Sequence, residues 1–379
     1  MVKFFSEAIF HYRAVVELTK IVFTRSPSDC VPAVQQTLAD AIKFSGDVGF
    51  QSVVYRLSLK DIPGYYLKLI SSWIFADVLV AVYPSFYRFA VSNDHPLRAW
   101  DDFLFRILNT LKPKNKRILF LYDLPIEQGF GESRGQFYDS KSYELESRIL
   151  RSFDILCVFN RNMREIVRDR YNLAEEKFVE LELPDYGIKP KRKRHRIAHN
   201  RGWNVFYIGN GDRHYDGEWM SRLKKVDYVR YEFLGLNWDW IEHLGRDDFT
   251  RHGLYTQQEL CDYMHANADF GIIAYADRMS DYCKYACPSK FGAYVTAGVP
   301  ILVKANCQYV ASLVKRYGIG LPFHSVDQIP ALTKALSESR YEKMRDACQC
   351  LSEKLSNGYY FKRALAESLQ VLGSPQGSP

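Results

Sequence analysis

No apolar run in this 379-residue sequence is long enough to cross a bilayer. The most apolar window, residues 67–82, is interrupted by Lys68 and Asp77 and is shorter than a spanning helix requires. The first twenty residues hold neither an extended apolar region nor a small-residue cleavage site, so no signal peptide is expected. Eight cysteines are present, but their spacing matches neither a secreted disulfide framework nor a zinc site. Cys283 and Cys287 have no second pair or histidine cluster nearby. A reduced, cytoplasmic protein is therefore expected, with any membrane contact peripheral and at the inner face of the cell membrane. No DxD-type pair of aspartates stands at a strand end, and no metal site is expected. Glycine, at 22, and proline, at 15, are too few for a disordered chain.

What is present is an ordinary globular composition, 47% hydrophobic and 25% charged, in a chain too long for one core. Two α/β domains are expected, residues 1–186 and 187–379. The net charge of +7 favours anionic partners without choosing among them. Much of the excess lies in Lys189, Lys191, Arg192, Lys193, Arg194, His195 and Arg196, which read as a solvated linker or as a contact for a membrane surface or acidic glycan. These residues follow no nucleic-acid-reading element, so nucleic acid is not an expected partner.

Strand-like and helical runs alternate along the chain, which predicts parallel sheets covered on both faces. Strands are predicted over 14–23, 51–57, 77–82, 117–122 and 155–159, with helices over 33–44, 65–75, 96–111 and 142–152. Pro184, Gly187, Pro190 and the basic run break the pattern over 183–202, where the domain boundary is placed. Beyond it strands are predicted over 203–208, 228–234, 270–274 and 300–303. Helices are predicted over 217–223, 257–266 and 290–297, and in most of 326–372.

Ligands of open parallel sheets bind beyond the carboxyl ends of the strands. Two segments there stand out. After Ile208 comes Gly209–Asn210–Gly211–Asp212–Arg213, in which the glycines permit close backbone approach and Arg213 could grip a diphosphate. After the strand ending at Ala274 come Tyr275, Asp277, a polar aromatic loop, then Pro288, Ser289 and Lys290 at a predicted helix start. Free amides at such a start attract anions. A lysine there opposes the helix dipole, as befits a residue that serves a bound phosphate. The bland alternatives are an ordinary turn and a surface lysine.

The run CPSKFGAYVTAGVPILV resembles the donor-site segment of GT-B glycosyltransferases. It is most similar to the bacterial group that contains the glucosyltransferases of serine-rich-repeat adhesins and the β-1,6-galactofuranosyltransferases. YDLP at residues 122–125, FDILCVFNRNM from Phe153, GNGDR at 209–213, FGIIAYADR from Phe270 and YGIGLPF from Tyr317 follow in the same order. The resemblance implies two Rossmann-like domains whose parallel sheets face a central cleft. It implies a UDP-sugar donor, a glycan, glycolipid or glycoprotein acceptor, and a homo-oligomer. In this reading Arg213 and Lys290 neutralise the diphosphate, Gly209, Gly211, Asp277, Tyr285, Pro288 and Ser289 line the donor site, and Trp238 or Tyr275 lies near the base.

The glutamate pair of many retaining GT-B enzymes is absent, its positions being held by Tyr285 and Ala293. Inversion is therefore favoured, with Asp123, directly after a strand, as the candidate base. Asp123 as a loop cap is the plain alternative; Glu127 is near it, and Asp94 and His95 follow another predicted turn, where Asp94 also reads as an ordinary helix start. The loop 128–135 holds three glycines and could close over an acceptor. Lys290 and Arg213 could supply the charge a magnesium ion supplies elsewhere, so metal-independent transfer is expected. The competing expectation is a catalytically silent GT-B-like subunit that binds glycans or scaffolds an assembly.

Overall fold

The protein is described from a computed structural model over residues 20–25, 32–55, 62–83, 115–124, 140–191, 202–209, 211 and 219–373, together with positions 103, 106–108 and 110. Twelve short β-strands among them form two six-stranded sheets, every ladder parallel. The first has the order β2-β1-β3-β4-β5-β6: β1 Lys20–Arg25, β2 Gln51–Tyr55, β3 Val78–Tyr83, β4 Lys116–Leu121, β5 Ile155–Val158 and β6 Phe178–Glu180. The second has the order β12-β11-β10-β7-β8-β9: β7 Trp203–Ile208, β8 Val229–Leu234, β9 Phe249–His252, β10 Phe270–Ile273, β11 Ile301–Lys304 and β12 Gly320–Phe323.

Central strands such as β3, β5, β10 and β11 are buried along their whole length, as strands covered on both faces must be. The alternation read from the sequence is present, and several boundaries agree to within two residues. The helix Arg161–Tyr171 and strands β6, β9 and β12 were not anticipated. They are short, or too polar to announce a buried face: the helix buries only Met163, Val167 and Tyr171. Most of the helix predicted over 96–111, Asp94, His95, Glu127, the loop 128–135, Arg192 to Arg196 and Arg213 lie outside the described residues. Among the described residues no helix is long and apolar enough to cross a membrane.

The second sheet reverses its order between β7 and β10, leaving a crevice beyond their carboxyl ends. The chain passes from one sheet to the other near residues 181–190, and the final helix, Tyr359–Gly373, returns to the first. Phe361 stacks on Phe120 with ring centroids 4.2 Å apart, and the Ser368 hydroxyl meets the Cys157 thiol at 3.4 Å.

The crossing is fastened by carboxylates. Glu182 adopts φ 72°, uncommon for a residue with a side chain, and three donors account for its persistence. Its Oε1 accepts from Arg316 (3.1 Å) and Tyr317 (2.8 Å), and its Oε2 from Arg363 (3.1 Å). Asp185 caps the final helix by accepting from the amide of Phe361 at 2.5 Å, and Asp40 accepts from the amide of Gly187 at 2.9 Å. Burial pushes the Asp40 carboxyl up to about 7 and that of Asp185 up to about 8.

Both carboxyls keep their protons to higher pH in the folded chain than in the unfolded one, where they ionise near 3.8. The folded state therefore binds more protons between about pH 4 and pH 8, and the stability these groups carry is lost as pH rises through that window. Melting temperatures recorded from pH 5 to pH 8 are expected to fall, and to fall less steeply in Asp40→Asn. An equal slope in the variant would contradict this.

Candidate functional site

The crevice between β7 and β10 is opened by one side chain. The two strands pair only through Phe270↔Val205 and Gly271↔Phe206. Beyond that point the fully buried Tyr294 wedges between them. Its hydroxyl accepts from the Ile208 amide at 3.0 Å and faces the carbonyls of Phe206 at 3.0 Å and Ile272 at 3.4 Å. Gly271 makes room for this ring, since a Cβ there would lie 2.3 Å from Tyr294. Because Tyr294 belongs to the helix Ser289–Thr296, the wedge also fixes where that helix begins.

The helix start has the character of an anion site. Pro288 occupies the N-cap in an extended conformation, no side chain caps it, and no acidic residue stands in the first turn. Lys290 projects from that turn, half-buried. Its Nζ donates to the Tyr207 hydroxyl at 2.9 Å and lies 4.0 Å from the centre of the Tyr207 ring and 5.1 Å from that of Tyr275. The ammonium is thus held between aromatic residues at the ends of the two diverging strands. A Cβ on Gly209 would come within 3.7 Å of Lys290 Nζ, which places the glycine turn and the lysine side by side.

That turn is strapped from behind. Gly209 has φ 142°, and its carbonyl accepts from the Trp238 indole at 3.1 Å. A Cβ on Gly211 would strike the Trp238 ring at 2.4 Å, and one on Gly235 would strike the Gly209 carbonyl at 2.0 Å. Glycine is therefore required on both touching loops.

Trp238 needs correction. Only 1% exposed and packed against Tyr207, Phe233 and Trp240, it offers no open face for a base and instead shapes the turn. Tyr275 turns toward Lys290, beside the anion position. Asp277 is engaged by Lys304 at 2.7 Å and by Asn306 at 3.4 Å, and the hydrogen bond and charge of Lys304 hold its carboxyl below the usual range. Tyr285 is 3% exposed, which sets it apart from an open donor-lining position. Its carbonyl accepts from Asn160 at 2.7 Å, across the divide between the sheets. Among the described residues its hydroxyl has no hydrogen-bond partner, and burial pushes its ionisation up.

Asp123 follows β4 in the first sheet, and its Oδ1 accepts from the hydroxyl of Tyr282 in the second domain's loop. The structure thus gathers Gly209, Gly211, Tyr275, Pro288, Ser289 and Lys290 around one crevice, with Asp123 linked to its loop. Tyr207, Tyr294, Lys304 and Tyr282 were missed by sequence reasoning. Tyrosines so placed read as core residues, and Lys304 as the end of a strand.

Residues 205–368 match the family described as Glucosyltransferase 3-like, C-terminal domain. The chain is 19% identical over 207 residues to β-1,6-galactofuranosyltransferase WbbI of Escherichia coli K12, a stretch covering 53% of this chain and 59% of that protein. It is 24% identical over 100 residues to Glucosyltransferase 3 of Streptococcus parasanguinis, covering 26% of this chain and 30% of that one. The aligned stretches thus span less than two thirds of either relative. Among solved structures, HepE of Anabaena in complex with UDP-glucose superposes with a TM-score of 0.57 at 9% identity, over 93% of this chain and 99% of that one. Residues 205–368 are thus similar to the C-terminal domain of glucosyltransferase 3-like proteins, and the fold is GT-B.

Removing the Tyr294 hydroxyl leaves the Ile208 amide buried without its partner, a loss worth about 1–3 kcal/mol. Tyr294→Phe is expected to melt below the wild type in thermal denaturation. An unchanged melting temperature would show that the wedge contributes nothing.

Proposed function

We propose that the chain is a glycosyltransferase that moves a hexose, glucose or a galactofuranose-like sugar, from a UDP-sugar to a glycan acceptor on a polysaccharide, glycolipid or glycoprotein. The observation that carries this reading is Lys290, clasped by Tyr207 and near Tyr275 at an uncapped, acid-free helix start in the crevice of the second sheet. The ammonium and the amides of the helix start suit the two phosphoryl groups of a nucleoside diphosphate. The glycine turn lets a bound phosphate approach the backbone. A UDP-glucose complex of a protein with the same fold and relatives named as hexosyltransferases support the same donor class.

In the proposed reaction Asp123 accepts the proton of an acceptor hydroxyl whose oxygen bonds to the anomeric carbon. The bond from that carbon to UDP breaks, and its electron pair leaves on the diphosphate. Lys290 and the helix amides stabilise that developing charge, with Arg213 assigned the same role, so the reaction is proposed to need no divalent metal.

Saturating UDP should raise the melting temperature, since ligand at a hundredfold its Kd adds about 2.7 kcal/mol. Lys290→Ala should weaken UDP binding roughly 10- to 150-fold, the loss of one charged contact of about 1.5–3 kcal/mol. Both effects should persist in EDTA. A wild-type protein indifferent to UDP, GDP and ADP would overturn the donor assignment in favour of a silent, glycan-binding or scaffolding subunit.

A further inference from the structure

The loop from Tyr275 to Pro288 begins at the donor crevice, ends at the start of the lysine-bearing helix, and in between touches the first domain twice. Its donor-side end is pinned by Lys304, which bonds the Tyr275 carbonyl at 3.3 Å and Asp277 at 2.7 Å. Its middle is a single helical turn, Ser280–Cys283, braced by the Lys284–Asp281 ion pair at 2.6 Å. The first contact outward is Tyr282 to Asp123. The second is Tyr285, whose carbonyl receives Asn160 Nδ2 while Asn160 Oδ1 caps the helix Arg161–Tyr171 through the Met163 amide at 3.0 Å. The rings of Tyr282 and Tyr285 meet edge-on at 5.4 Å, so the two crossings support each other.

We propose that Tyr282 is a positioning residue for Asp123, its hydroxyl orienting the carboxylate from a loop that Lys304 pins at its other end. This rests on the reading of Asp123 as the base. A hydroxyl donated to one carboxylate oxygen is a charge-assisted bond that fixes the plane of the group. Orientation of a base by a third group is how nucleophile activation is commonly organised. Here the orienting group lies on the loop that leads to the lysine-bearing helix of the other sheet, so the alignment of the carboxylate depends on the place of loop 275–288.

The test uses the full chain, UDP-glucose and UDP-galactofuranose as donors, and a panel of p-nitrophenyl glycosides as acceptors, with UDP release followed. Tyr282→Phe keeps the ring and removes the hydroxyl. Its melting temperature and its Kd for UDP by calorimetry should match the wild type, whereas kcat falls at least tenfold with the donor KM changed less than threefold. Asp123→Asn should fall further, and the double variant should be no slower than Asp123→Asn alone, because the hydroxyl acts only through the carboxylate. Turnover lost in Asp123→Asn but intact in Tyr282→Phe overturns the positioning role alone. A Kd for UDP that weakens in step with kcat overturns it too, placing Tyr282 in donor binding. Turnover intact in Asp123→Asn overturns the base assignment. A wild type that binds UDP yet releases none from either donor overturns the transferase reading itself.

Discussion

Where β7 and β10 part, the Tyr294 hydroxyl takes the place of the ladder bonds the two strands no longer make, and it satisfies the Ile208 amide in doing so. That substitution keeps the crevice open without an orphaned backbone group, which buried backbone cannot tolerate cheaply. The same ring anchors the helix Ser289–Thr296, so the opening of the sheet and the aim of the helix start are one constraint. Lys290 lies where these meet, between tyrosines supplied by the ends of both strands. The proposed anion site would thus be a consequence of sheet topology, with a lysine and a glycine turn beside it.

The second organising feature is how the two sheets are joined. Glu182, Asp185 and Asp40 bind the crossing segment to helices of both domains, and the final helix packs on the first sheet beside them. These acids are partly or wholly buried and form bonds to backbone amides, arginines and hydroxyls. Burial of paired carboxyls is costly unless they are so bonded. Loop 275–288 also reaches back to the first sheet, at Asp123 and Asn160. The two sheets are therefore linked both at the crossing and through the loop that leads to the helix Ser289–Thr296.

The alternation of elements was legible in the sequence because fully buried parallel strands read as continuous apolar runs, as in VLVAVY and FGII. The place of Lys290 at a helix start was legible because Pro288 and Ser289 suit the first positions of a helix. Tyr294 and Tyr207 were not legible, since their roles depend on contacts 86 and 83 residues away along the chain. Trp238 was read as lying near the base, whereas the structure encloses it among Tyr207, Phe233 and Trp240, contacts that the sequence does not announce. The carboxylates of the crossing were equally silent, because a solvated surface acid and a buried cap look alike in sequence.

The account turns on the place where a nucleoside diphosphate sits. A crystal structure of the full chain with UDP tests this most directly. The account predicts phosphate oxygens within hydrogen-bond distance of Lys290 Nζ and of the amides that begin the helix Ser289–Thr296, with the glycine turn alongside. UDP bound elsewhere, with Lys290 still turned onto Tyr207 and away from the phosphates, would contradict it.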